Sequence, residues 1–81
     1  MTYCLERVAR ALCELDGNPP DATMGGKSLW QDYLPEARAA IMALHEPDAE
    51  MVSAAALAGG HFAKDEIGII YRAMIDTALI E

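Results

Sequence analysis

Residues 64–80, KDEIGIIYRAMIDTALI, decide the fold class. Ile67, Ile70, Tyr71, Met74, Ile75, Ala78 and Leu79 recur at steps of three and four, which places them on one broad helical face. Gly68 inside the segment weakens the helix by up to about 1 kcal/mol relative to Ala. Working backwards, PDAEMVSAAALAGG (47–60) reads as a helix over 47–58. Pro47 suits its first position and Gly59-Gly60 closes it. Pro35 cannot donate to the carbonyl four residues earlier, so a short turn at 29–33 precedes a separate helix over 35–45. Ala37, Ile41 and Leu44 stripe that helix, extended by Leu34.

The N-terminal segment, TYCLERVARALCELDG, carries Leu5, Val8, Leu12 and Leu15 on one stripe, with Cys4 and Ala11 at its edges. Glu6–Arg10 and Arg10–Glu14 have the i,i+4 spacing of paired charges, and Gly17-Asn18-Pro19-Pro20 ends the helix. No stretch alternates as a strand would. The expected fold is all-α: a compact bundle of four main helices, about 3–15, 35–45, 47–58 and 64–80, with the short turn at 29–33. At 81 residues the chain makes a single domain, 1–81.

Gly26-Lys27-Ser28 copies the end of a phosphate-binding loop, but the position five residues before Gly26 is Asp21, where the motif needs Gly, and no strand precedes the loop. Ser28 with Gln31 instead has the spacing of a capping box, which makes the segment a helix start. His45 and His61 flank helix ends near Glu46, Asp48 and Asp65, without the tight Cys/His array of a structural zinc site. Ser53 lies in a helix with no base in reach, and adjacent carboxylates such as Asp65-Glu66 point about 100° apart. The expectation is therefore no enzyme: no catalytic residue, no cofactor and no metal. Trp30, Tyr33 and Tyr71 read as core anchors.

Charge narrows the partners. Thirteen acidic residues against six basic ones leave a formal charge of −7. That disfavours direct binding to nucleic acid or an anionic membrane and suits a protein partner with a basic surface. Asp32, Glu36, Glu46, Asp48, Glu50, Asp65 and Glu66 cluster near helix starts, where they complement the helix dipole, and they are the candidate partner-binding residues. Cys4 and Cys13, nine residues apart on one helix, sit about 13 Å apart and cannot bridge, so both read as buried thiols. With no basic stretch and apolar run at the N-terminus, the expected location is cytoplasmic.

Three blocks, ERVARALCELDG (6–17), LWQDYLPEARAAIMALHEP (29–47) and YRAMIDTAL (71–79), resemble short, uncharacterised proteins encoded by bacteriophages and prophages of α-proteobacteria. The likeness spans nearly the whole chain and is weakest over AGGHFAKDEIGII (58–70). It brings no catalytic residue with it. What it implies is a setting in the host bacterial cytosol: a non-enzymatic inhibitor of a bacterial defence complex, of the anti-CRISPR type, with a CRISPR surveillance complex as its partner. The other expectation is a phage structural or regulatory module that acts as a homodimer through the Met-containing last helix.

Overall fold

A computed structural model describes residues 3–59 and 61–80. The all-α class holds. In chain order come α1 (Cys4–Leu15), a two-stranded hairpin of β1 (Thr23–Met24) and β2 (Lys27–Ser28), a 3₁₀ turn (Leu29–Tyr33), α2 (Leu34–Ala43), α3 (Ala49–Gly59) and α4 (Lys64–Ala78).

The hairpin corrects the expectation that the chain contains no strand. Thr23 pairs with Ser28 and Met24 with Lys27, antiparallel. The two residues between them, Gly25 and Gly26, have φ of 63° and 82°. A two-residue hairpin turn whose twist matches its strands needs positive φ at both positions, and only glycine adopts that without strain. Gly26 is therefore a turn residue. The Ser28–Gln31 capping box is also overturned: Ser28 has the extended backbone usual for an N-cap, but its side chain makes no cap bond. Loop carbonyls satisfy the start of the turn instead: Leu29 N–H donates to Ala22 O at 2.8 Å, and Trp30 N–H to Pro20 O at 3.2 Å.

The core lies between α1 and α2. Leu5 and Ala9 from α1 meet Ala37 and Ile41 from α2, all buried, and Cys13 is buried one turn further along α1. Ala9 and Ala37 allow the two helices to approach closely. Val8, Leu12, Trp30, Tyr33 and Leu34 wall the cluster, and Ile75, Ala78 and Leu79 from the end of α4 close it. Leu15, expected on the core stripe, is 82% exposed beyond the last buried position, and Leu44 is likewise exposed at the end of α2. Cys4 is half-buried.

No buried residue comes from α3. It packs along the first half of α4, with a groove of about 340 Å³ between them lined by Met51, Val52, Phe62, Ile67, Ile70 and Met74, among others. Pro47 stays outside α3, whose first turn is capped by Asp48: Met51 N–H donates to Asp48 Oδ1 at 2.8 Å. The helix expected over 47–58 with Gly59-Gly60 as its stop runs on through Gly59, and Gly60 lies outside the described residues. The molecule is long, 49 × 21 × 20 Å, with a radius of gyration of 15.8 Å. An average globular chain of this length would have about 12 Å.

Candidate protein-binding surface

One end of the molecule is built around the join between α1 and the 3₁₀ turn. The Tyr33 hydroxyl donates to Asp16 Oδ2 at 2.8 Å and accepts from Asn18 Nδ2 at 2.9 Å, which ties the turn to the C-terminus of α1. On the other side of the join, Arg10 donates to Glu6 at 2.8 Å and to Asp21 at 2.9 Å, and its guanidinium lies 5.4 Å from the centre of the Trp30 ring. The expected Arg10–Glu14 pair gives way to this arrangement. Glu6 and Asp21 together raise the Arg10 pKa and keep its charge committed.

These clasps leave an acidic rim. Asp32 and Glu36 share a shallow pocket of about 450 Å³ with Asn18, Met24, Leu29 and Tyr33. Met24 projects from the hairpin at 72% exposure. The side chains of Asp32 and Glu36 make no hydrogen bond or salt bridge among the described residues. The field around this end is negative enough to be felt inside: burial pushes the Cys13 thiol up, and Asp16, Glu14 and Asp32 push it further, opposed by Arg10. A thiol held protonated in this way is a poor nucleophile. The hydrogen bond to Asp16 is the main cause that raises the Tyr33 pKa as well.

The other candidate acids lie elsewhere. About 10 Å of α2, from Glu36 to its end at Ala43, and then the turn after it separate Glu36 from Glu46. Glu46 accepts from Arg72 at 3.2 Å and lies 3.6 Å from His45 Nδ1, while His45 Nε2 is 2.9 Å from Asp76. Together with the Tyr71 hydroxyl, which donates to Leu44 O, these contacts fasten the turn after α2 to the middle of α4. Asp48 is spent on the α3 cap. Glu66 Oε1 accepts from the Ala63 N–H at 3.2 Å, the reciprocal half of a capping box whose first residue, Ala63, has no side-chain acceptor. Glu50 and Asp65 occupy first turns of α3 and α4 and are exposed.

Of the seven acids, then, Asp32 and Glu36 share a pocket, three serve backbone or ion-pair roles, and two stand apart. Asn18 and Met24, which share that pocket, carry no motif; only the hairpin turn and the reach of Tyr33 bring them there. The described residues contain no group of three or more His, Cys, Asp or Glu able to hold a metal ion, and no helix long and apolar enough to cross a membrane. No protein-family model, curated protein or solved structure matches the chain.

Proposed function

We propose that the chain is a non-enzymatic inhibitor of a bacterial defence complex, of the anti-CRISPR type, which occupies a basic, DNA-binding surface of a protein partner. The pocket bounded by Asp32 and Glu36 supports this reading best. It sets two unpaired carboxylates beside an exposed methionine at an acidic end of a −7 chain. Charge of this kind steers association with a cationic surface, while an apolar anchor such as Met24 slows dissociation. The choice of a defence complex rests on the resemblance to phage proteins. The contact is centred on Asp32 and Glu36, while Glu46, Asp48 and Glu66 serve the α2–α3 turn and the starts of α3 and α4.

The test is binding of the purified chain to CRISPR surveillance complexes, followed by DNA binding of those complexes. The expected outcome is a stoichiometric complex that no longer binds DNA. The double variant Asp32→Lys/Glu36→Lys should bind at least about ten-fold more weakly, with a shallower salt dependence. Failure to bind any such complex, with no rescue of phage in immune cells, overturns the proposal.

A further inference from the structure

Asp16 is the one aspartate of the chain that precedes a glycine, and the single asparagine, Asn18, precedes a proline. With no side chain on Gly17 to shield its amide nitrogen, an Asp-Gly pair can close on itself. The Gly17 nitrogen gives up its proton and bonds to Asp16 Cγ, and the carboxyl hydroxyl leaves with that proton as water. The product is a five-membered succinimide. Water then opens the ring at one of its two C–N bonds. Opening at Cγ restores aspartate, whereas opening at the backbone carbonyl leaves Gly17 attached through Cγ, as an isoaspartate. Both residues are exposed, so water has access to them.

The fold keeps the reacting atoms apart in three ways. Gly17, at a φ of 82°, ends α1 in a left-handed turn. Its N–H donates to Glu14 O at 2.9 Å, and the Asn18 N–H donates to Cys13 O at 3.1 Å, so the proton that must be lost is engaged. The Asp16 carboxylate is tied in turn, since its Oδ2 accepts from the Tyr33 hydroxyl at 2.8 Å. The backbone supplies the third restraint. Asp16 has a ψ of 0°, which sets the Gly17 nitrogen in eclipse with the nitrogen of Asp16 and about a third of a turn from Cβ around the Cα–C bond. Ring closure needs that nitrogen on the side of Cβ, within bonding approach of Cγ. The reaction therefore proceeds from molecules in which this end has opened, at a rate set by how often it opens.

We infer that Asp16–Gly17 is a latent isoaspartate modification site, held shut by the end of α1 and by the Tyr33 clasp. The change outlasts the opening that permits it. It adds one carbon to the main chain between α1 and the hairpin. Asn18, two residues on, donates to the Tyr33 hydroxyl and lines the Asp32–Glu36 pocket, so an isomerised molecule closes this end differently. Repeated opening is thereby recorded as a covalent alteration.

The test is several weeks of incubation of the full chain in mildly acidic buffer, well below its melting transition. Trypsin then releases residues 11–27, and chromatography with electron-transfer fragmentation distinguishes isoaspartate from aspartate at position 16. The same peptide, incubated free, gives the rate without the fold. The folded chain should isomerise at least about ten-fold more slowly than the peptide. Tyr33→Phe should isomerise about three-fold faster than the parent chain, because the carboxylate loses its tether. Asp48→Ala, which loosens α3 alone, should leave the rate unchanged and so separates the clasp from a general loss of stability. If Tyr33→Phe loses helicity, the comparison of folded chain with peptide decides. A parent chain as fast as its peptide, a folded Tyr33→Phe no faster than the parent, or an equal acceleration by Asp48→Ala overturns the inference.

Discussion

The Tyr33 hydroxyl joins two segments that are seventeen residues apart, donating to Asp16 and accepting from Asn18. In Tyr33→Phe both partners, being exposed, recover water, so the loss is that of an ordinary surface hydrogen bond to a charged group. We expect the urea midpoint to fall by about 0.5 M with an unchanged slope. An unchanged midpoint would show that the clasp adds nothing to the packing of the ring. Alkaline pH tests the same end of the molecule. Cys13 and Tyr33 both have folded pKa values raised above 9.0 and 10.0 respectively. The folded state therefore holds those protons more tightly than the unfolded chain. Stability from this source is complete below about pH 9 and is lost as pH rises through the raised values. Thermal melts between pH 8 and 11 should show that decline, and Cys13→Ala should remove its first part. A melting temperature flat to pH 11 in the parent chain would contradict the burial of the thiol.

At the scale of elements, caps and glycines make the sharpest predictions. Asp48→Ala removes the acceptor for the Met51 N–H and should cost about 1 kcal/mol in chemical denaturation. Gly68→Ala should act in the opposite direction. A Cβ there would meet the Arg72 guanidinium at 3.4 Å, the free end of a flexible side chain, so the helical gain of about 0.5–1 kcal/mol is kept. A loss on denaturation would mean that Arg72 cannot move without breaking its pair with Glu46. Much of this level was legible in the sequence. The four helices and the short turn follow from period and proline, and Pro35 marks the change from 3₁₀ turn to α2 correctly. The hairpin was not, because strands of two residues are too short to alternate, and Gly25-Gly26 was its only signal. The Ser28 cap failed at the side chain: Ser28 does hold the extended backbone of an N-cap, but its hydroxyl makes no cap bond. In α4, apolar residues occupy two sides of the helix. Periodicity grouped Ile70 and Met74 with Ile67, Tyr71 and Ile75, whereas the fold sets Ile75 against the α1–α2 core and Ile67, Ile70, Tyr71 and Met74 along the groove beside α3.

The whole molecule divides its stability unevenly. Leu5, Ala9, Ala37 and Ile41 tie α1 to α2, and the end of α4 joins them through Ile75, Ala78 and Leu79. Nothing comparable holds α3, whose partner is the first half of α4. The candidate site shows the same dependence on assembly. Its acids were identifiable from their crowding at helix starts, but their separation into a shared pocket, structural acceptors and isolated charges depends on where the hairpin and the α2–α3 turn come to rest. Local opening follows contact with the core, since a segment with few buried apolar contacts unfolds at lower free energy than the core it rests on. Hydrogen exchange read by mass spectrometry should therefore find the amides of residues 52–59 exchanging at least about ten-fold faster than those of residues 8–13, after correction for intrinsic rates. Asp48→Ala should accelerate the first group and leave the second unchanged, because the cap belongs to α3 alone. Equal protection of the two segments, moving together in the variant, would mean that α3 unfolds only with the core and that the molecule is one cooperative unit despite its length.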